Sequence, residues 1–510
     1  MVAFLSAPGT FGEGAAERVD THISHVFLYG QRVWKLKRPV DTGFLDFSTR
    51  EARRRACERE LEINRRISGG DLYVRLRTVT QEKDGLALDG PGRPVDWLVE
   101  MKRFDPDAEF DVLARRGKLT EDMIVRLARR VAHIHEEAPR RKDCGGSQEM
   151  RALAADTVSG LMDFSHQLGG LHPLADLSLR LRRELNANAR LLDVRRRFGR
   201  VRHCHADLHL ANICLYKGEP TPFDAIEFND RMASIDIVYD AAFTIMDLIH
   251  EGLDDLANRF LNAWAETSRD YTGLRLLPLS MALRAAIRAR VLLLTARLNE
   301  PARAAEKIGA ARSYFDLALR LSHKPRPLLL AAGGVSGTGK STLAQRLALD
   351  VAGGAGAVIL RSDVIRKRIF GQAPEEPLPE KAYRTRISKR VFAQMFKDAR
   401  RALAAGSPVI MDATFMDERL RERAALLAGR MGVPFRGLWL DAPDEVLVQR
   451  IAGRGKNASD ATAEVLARQR KARLGVMEWS RIDASGGSAD VHLRAREALS
   501  DSGFLLAEEM

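Results

Sequence analysis

Residues 328–342 read LLLAAGGVSGTGKST: an apolar run, a glycine-rich turn, then Lys340-Ser341-Thr342 opening a helix. Gly334, Gly339, Lys340 and Ser341 stand at the spacing GxxxxGK[ST]. In such a loop backbone N–H groups cradle phosphates, the lysine reaches the β/γ-phosphates and the hydroxyl binds Mg²⁺. The helix N-terminus adds a favourable field for anions. The whole loop, Gly334, Val335, Ser336, Gly337, Thr338, Gly339, Lys340, Ser341 and Thr342, is therefore expected to hold ATP, with Ser341 on Mg²⁺. Functional groups of a parallel sheet belong at the carboxyl ends of its strands, and two later apolar runs end in candidates. Asp363 is placed to take a proton from a substrate hydroxyl, with Arg366 one helical turn on to hold an anionic group. Asp412 reads as a carboxylate supporting Mg²⁺. Leu447–Gln469, with a Gly-Arg-Gly interruption between helices, could be a mobile lid that carries Arg450 and Arg454 to the phosphates and neutralises their charge.

A second constellation lies at His205–Asn212, HADLHLAN, an HxDxxxxN spacing. Phosphoryl transfer calls for a carboxylate to accept the hydroxyl proton, here Asp207, and an amide oxygen five residues on, here Asn212, to hold Mg²⁺. A further metal carboxylate is due just downstream, where Asp224 and Glu227 both qualify. Asp236 and Asp240 could brace the loop. A phosphate-pairing lysine should come from an N-terminal strand: Lys35 or Lys37, paired with Glu58 or Glu60, Lys35 and Glu60 being preferred. His205 and His209 with Cys204 and Cys214 have neither CxxC nor HExxH spacing, so a zinc site is not expected. Asp247, Glu251, Asp254 and Asp255 read as a solvated helix face.

The elements that must carry these groups follow from hydrophobic pattern. His25–Leu36 alternates as two strands about Gly30, a charged helix runs from about Thr49 to Ile67, and Tyr73–Thr80 and Pro94–Phe104 read as strands. Helices are expected at Glu121–Glu137, Met150–Leu168 and Leu177–Phe198, then a β-rich segment His203–Phe228, then long helices from Ala241 to about Leu321. Residues 323–327 (HKPRP) form a proline-bracketed break. Beyond it strands recur at Ala357–Leu360, Pro408–Met411, Phe435–Leu440 and about Trp479–Asp483, separated by helices, the signature of a parallel sheet.

Composition sets the outer limits. The 510 residues, 45% apolar and 29% charged, are enough for two or three globular domains. Four cysteines without paired spacing point to a reducing, cytoplasmic setting. The first residues carry no basic stretch with a long apolar run, so no signal peptide is expected. Arg284, Arg288 and Arg290 interrupt the most apolar later stretch, which reads as a soluble helix rather than a membrane span. A net charge of +13 permits a polyanionic partner. Arginine runs such as Arg53–Arg66 are interleaved with glutamates as on solvated faces, so a nucleic acid is the lesser expectation and a small hydroxyl compound the greater.

On the lysine strand, the glutamate helix, HADLHLAN, IEF (226–228) and YDAAF (239–243), residues 20–320 resemble the aminoglycoside phosphotransferase-like kinases. The resemblance implies an α+β, two-lobed, protein-kinase-like domain over 1–322 (N-lobe 1–104, C-lobe 105–322). There are departures: no GxGxxG loop covers the phosphates, leaving Thr21–Ser24 in its place, and IEF stands where the family more usually has I-D-[FW]. Glu227 is then the family-equivalent metal ligand, with Asp224 as the alternative. On GGVSGTGKS, RSDVIRKR, VIMDAT and the lid, about residues 328–500 resemble small-molecule and polynucleotide P-loop kinases of the gluconate kinase, polynucleotide kinase and zeta-toxin kind, which implies an α/β P-loop domain with a parallel sheet over 328–510. The fusion resembles the bifunctional aminoglycoside phosphotransferase/ATP-binding proteins. It implies an ATP- and Mg²⁺-dependent phosphotransferase with two kinase-type domains; the alternative is a single active P-loop kinase regulated by a non-catalytic kinase-like N-terminal module.

Overall fold

A computed structural model describes residues 1–21, 23–41, 45–453, 460, 462–501 and 504. Packing divides the chain into two compact units, Met1–Leu256 with Leu279–Ser322, and Ala257–Pro278 with His323–Met510.

The first unit opens on an antiparallel sheet of β1 (Glu17–Asp20), β2 (Ser24–Tyr29), β3 (Arg32–Lys37), β4 (Tyr73–Glu82), β5 (Gly85–Leu88) and β6 (Arg93–Lys102), in the order β1-β2-β3-β6-β4-β5. Alternation along β2 and β3 sends Phe27, Trp34 and Leu36 into a cluster with Leu5, Val79, Val95 and Leu98. Helix Arg50–Ser68 starts where the Thr49 hydroxyl accepts from Ala52 N and stops at the left-handed Gly69. It packs on β4 and β6. Its orientation is fixed by the buried guanidinium of Arg53, which donates to both oxygens of Asp96 on β6 (2.9–3.2 Å) and to Phe47 O (3.0 Å). This sets Glu60, two turns on, against the lysines of β3.

The rest of the unit is mostly helical, with helices Glu121–Glu137, Ser147–Met162, Leu171–Arg197, Ile237–His250 and Pro301–Leu321. Among them two small antiparallel pairs form: β7 (Val201–His203) with β10 (Ser234–Asp236), and β8 (Ile213–Tyr216) with β9 (Glu219–Pro222). The loop 205–212 runs between β7 and β8.

In the second unit β11 (Leu329–Gly334), β12 (Val358–Arg361), β13 (Val409–Asp412), β14 (Phe435–Asp441) and β15 (Ser480–Asp483) make a parallel sheet ordered β12-β13-β11-β14-β15. Every residue of β11 is buried, as a central strand covered on both faces requires. The parallel sheet and its strand positions agree with the expectation. Sequence reading ran the first domain through to 322, whereas Ala257–Pro278 packs with the second unit. Strands β1 and β5 were not expected: β1 is exposed along its whole length and carries a single aliphatic residue. No helix among the described residues is long and apolar enough to cross a membrane.

The Arg53–Asp96 pair gives a direct test. Asp96→Ala leaves a buried guanidinium without its carboxylate and should cost about 3–5 kcal/mol, read as a lower urea midpoint for the first unit.

Candidate active sites

The glycine-rich turn leaves β11 at its carboxyl end and enters helix Lys340–Asp350 directly. Gly334 has φ +139°, and a Cβ there would meet Leu440 O at 2.4 Å; Gly339 at the helix cap has φ +84°. Only glycine suits these positions. The loop's own amides are tied from outside: Gly334 N donates to Thr414 O (3.2 Å) and Ser336 N to Gln469 Oε1 (2.8 Å). Lys340 Nζ donates to Val335 O at 2.7 Å. Ser341 Oγ donates to Asp412 Oδ2 at 2.6 Å, joining the head of the helix to the end of the neighbouring strand β13. A hydroxyl and a carboxylate converging in this way, below a loop of backbone amides, are hard oxygen donors of the kind Mg²⁺ takes.

Arg361, the last residue of β12, lies over the same pair, with Nε 3.6 Å from Asp412 Oδ2 and Nη2 3.5 Å from Ser341 Oγ. Two residues on, Asp363 sits in the first turn of helix Ser362–Ile369. Burial raises its carboxyl above the ordinary range and the Asp412 charge adds to the rise, while Arg361, Lys340 and Arg366 oppose it. The sequence-expected Asp363, Asp412, Ser341 and Lys340 are thus brought within one another's field. Arg361 was not foreseen; the strand-end position in ILRSD was the signal available.

The expected arginines are placed differently. Arg366 is buried and donates to Ala382 O (2.7 Å) and Ser388 Oγ (3.2 Å), with its guanidinium 4.9 Å from the Tyr383 ring centre. Arg450 does not reach the phosphate loop: its guanidinium donates to the carbonyls of Ala484, Ser485 and Gly486 (2.6–3.3 Å), beyond β15. It ties down a turn instead of closing over phosphates. Arg454 lies outside the described residues. Among the described residues of this region, Gln469 reaches the loop, from helix Ala463–Arg470, which is anchored by Leu466 in the core and by Arg470 on Asp441 (2.9 Å) and Asp444 (2.7 Å).

In the first unit Lys35 Nζ donates to Glu60 Oε1 (2.9 Å) and to Asp224 Oδ1. Lys37, two residues along the same face of β3, pairs with the other oxygen of Glu60 and with Glu227. Glu58 is instead paired with Arg54 on its own helix. Burial works to lower both lysines, but the carboxylates around them outweigh it and hold them up, fully charged. Glu227 is raised by burial and lowered by Lys37. The two carboxylates left open by sequence are now distinguishable. Glu227 is buried and locked to Lys37, whereas the Asp224 side chain is 46% exposed, stands two residues past the end of β9 and sits beside Lys35. Asp224 has φ +60°, its N–H donating to the buried Tyr73 hydroxyl at 3.1 Å.

Asp207 projects from the loop with its side chain 41% exposed. Asn212 Nδ2 donates to Asp207 O (2.9 Å) and Oδ2 (3.0 Å), leaving the amide oxygen as the acceptor that residue offers. Desolvation tends to raise Asp207, yet His209 (3.4 Å), Arg288 and His205 overcome it and hold the carboxyl well below its usual range. The backbone of the loop is braced from below. Ala206 has φ +69°, and its N–H donates to Asp240 Oδ1 at 2.8 Å; Asp240 Oδ2 accepts from His205 N (3.3 Å) and faces His135 Nε2 at 3.0 Å. His205 spans the loop, with Nε2 on Phe223 O (2.8 Å) and Nδ1 accepting from Asp207 N (3.3 Å), which requires the neutral ring that burial favours. Asp236 braces something else: it takes the buried Arg195 guanidinium (2.7 and 2.8 Å).

Asp247 corrects the solvated-face reading. It is 6% exposed and accepts from Leu210 N (2.9 Å) and the Tyr314 hydroxyl (2.6 Å). Asp240 and Asp247 are two turns apart on one helix, so a single face carries both braces. His135, Cys204 and Asp240 approach one another closely enough to be compared with a metal site, but Asp240 already serves His135 and two amides, and the cysteine lies against Ile235 O.

These features define the second unit as a P-loop nucleotide-binding domain. The AAA domain family model AAA_33 matches residues 329–474. Over 475 residues, 92% of each chain, the protein is 31% identical to the uncharacterized protein Rv2004c of Mycobacterium tuberculosis (strain ATCC 25618 / H37Rv), and equally to Mb2027c of Mycobacterium bovis. The chain belongs to the family of these mycobacterial proteins. Among solved structures, a gluconokinase from Sinorhizobium meliloti 1021 is 20% identical and covers 34% of this chain and 93% of its own, with a TM-score of 0.26. A choline/ethanolamine kinase family protein from Mesorhizobium loti is 12% identical over 63% of this chain and 97% of its own, with a TM-score of 0.38.

Asp240→Ala should leave two buried amides and His135 without their acceptor and lower stability by roughly 3 kcal/mol. Calorimetry on the full chain, with amide exchange at 205–206, checks both the size and the location of the loss.

Proposed function

We propose that the protein is an ATP- and Mg²⁺-dependent phosphotransferase whose second unit transfers the γ-phosphoryl group to a hydroxyl of a small molecule. The observation that carries this reading is the convergence of Lys340, Ser341 and Asp412 with the raised carboxyl of Asp363 at the carboxyl ends of β11, β13 and β12. The P-loop match over 329–474 supports it. A nucleotide alone needs Lys340 and the amides; a carboxylate with elevated proton affinity beside them is what a hydroxyl acceptor needs. In this reading Lys340 and the loop amides hold the phosphates, and Ser341 and Asp412 hold the cation, which supplies charge neutralisation at the transferring group. Asp363 takes the acceptor's proton at a carboxylate oxygen. Arg361 offsets the negative charge that Asp363 and Asp412 bring together. Arg366 shapes the acceptor side by tying down residues 382–388.

The first unit reads as a second phosphotransferase-type site of kinase-like, two-lobed fold. Lys35, aligned by Glu60, is the phosphate ligand, Asn212 and Asp224 are the cation ligands, and Asp207, kept ionised, accepts the hydroxyl proton. An exposed Asp224 beside Lys35 supports this reading, since it offers a carboxylate for the cation although Glu227 of IEF is locked to Lys37. Small hydroxyl compounds are the proposed acceptors for both sites.

ATP turnover in a metabolite extract, compared for Lys340→Ala and Asp207→Ala, separates one active site from two. Each variant is expected to lose part of the labelled products, and a different part. Loss only with Lys340→Ala would reduce the first unit to a binding module. Asp363→Asn has a signature of its own. A carboxyl whose folded pKa lies above its unfolded value weakens folding when ionised. The variant should therefore be more stable than the parent at neutral pH, and the gain should fade as pH falls through the raised pKa. Phosphoryl transfer should drop by about 10²–10⁴-fold. A variant less stable at neutral pH would contradict the assignment.

A further inference from the structure

Strand β12 is an edge strand of the second unit's sheet, and it ends in Arg361 and leads into Asp363. Parallel pairing with β13 uses Val358 and Leu360, so the polar groups of Ala357 and Ile359 point to the open edge. Ala357 N donates to Ala348 O (2.8 Å), while Ala357 O and Ile359 N are taken up by side chains from a segment far upstream. On helix Asp254–Ser268, Asn258 Nδ2 donates to Ala355 O (2.8 Å) and Ala357 O (3.0 Å), while Asn262 Nδ2 donates to Ala357 O (3.2 Å) and Asn262 Oδ1 accepts from Ile359 N (2.7 Å). Two asparagines one turn apart thus reproduce the donor and acceptor of a missing strand. Gly356 permits the approach, since a Cβ there would lie 2.5 Å from Asn258 Nδ2. Asn258 is 3% exposed, so these bonds are made away from water.

The same segment has a second hold on the site. Tyr271, 3% exposed, lies within electrostatic reach of Arg368, and Arg368 donates to Asp398 Oδ2 (3.0 Å) on helix Thr385–Ala404. Arg368 stands on helix Ser362–Ile369, which carries Asp363 and Arg366. One clamp therefore grips the strand before Asp363, and the other grips the helix after it.

We propose that the excursion Ala257–Pro278 is a positioning element of the P-loop site: Asn258, Asn262 and Tyr271 hold β12 and the following helix so that Arg361 and Asp363 face Ser341 and Asp412. The role given to Asp363 rests on the function proposed above; the clamp itself does not. A bare P-loop sheet ends at β12, and here its edge is completed by residues that belong, in sequence, to the preceding three hundred.

The test uses the full-length chain and the Asn258→Ala/Asn262→Ala double variant, with Tyr271→Phe as a milder second variant should the first fold poorly. Hydrogen exchange by mass spectrometry is expected to rise about tenfold in peptides covering 358–365 and to stay unchanged in helix Lys340–Asp350. Affinity for a fluorescent ADP analogue should stay within about twofold, because the phosphate loop is not held by this segment. Turnover should fall, and its acid limb should move to lower pH as Asp363 loses part of its burial. Unchanged exchange at 358–365, or an equal rise in helix Lys340–Asp350, would overturn the proposal. A parent protein without any ATP turnover would instead remove the phosphotransferase reading, and the exchange result would still decide the clamp.

Discussion

A buried backbone N–H or C=O without a partner is costly, and this constraint organises both candidate sites. Each candidate site is built on an irregular loop, and each loop lies inside a packed unit where its amides need protein partners. In the first unit the loop 205–212 is supported by two aspartates on one helix face, Asp240 under His205 and Ala206, and Asp247 under Leu210. In the second the phosphate loop is tied by Thr414 O and Gln469. The acceptors differ in kind for a reason. Asp240 and Asp247 must support amides that point away from the reacting groups, and carboxylates do this strongly. A carboxylate beneath the phosphate loop would repel the anion it holds, and there the supports are neutral.

The same constraint explains the segment from the middle of the chain that completes the second unit. An edge strand bearing reactive groups at its end can be neither frayed nor paired to another molecule without displacing them. Asparagine suits the task because one side chain supplies both a donor and an acceptor, and two at helical spacing match the alternation of a strand edge. Aspartate or leucine at 262 would satisfy at most half of that pattern.

Sequence exposed what is local and periodic. The glycine spacing around Lys340, the HxDxxxxN spacing at 205–212 and the apolar runs of the parallel sheet are each set within a few residues, and the structure has them where the pattern put them. It did not expose what depends on distant partners. Asp247 reads as solvated because Glu251, Asp254 and Asp255 follow it closely in the chain, and only the packing of loop 205–212 and Tyr314 against it makes it a brace. Arg450 looked like a phosphate ligand because nothing in the sequence shows the turn after β15 approaching it. Lys35 and Lys37 were indistinguishable by type; the carboxylates Asp224 and Glu227, nearly two hundred residues later, tell them apart. Asn258 and Asn262 gave no signal at all, since asparagine on a helix is ordinarily unremarkable.

The two proposed bases are tuned in opposite directions. Around Asp207 the nearby histidines and Arg288 outweigh desolvation, and the carboxyl stays ionised throughout the neutral range. Around Asp363 burial is reinforced by the neighbouring carboxylate Asp412, and the surrounding cations only partly compensate. A low-pKa carboxylate is always ready to accept a proton but pulls on it weakly; a raised one pulls harder but must first be ionised. In the proposed reading the first arrangement would orient a hydroxyl whose proton leaves late, as a loose phosphoryl-transfer transition state allows. The second would be held protonated in acid and become competent as pH rises. A cation held as proposed by Ser341 and Asp412 would be linked to its state: neutralising Asp412 would remove the repulsion that helps raise Asp363. Binding of a cation and readiness of the base would then be one electrostatic event, and Arg361, whose charge acts on both Asp412 and Asp363, is the side chain through which it would be felt.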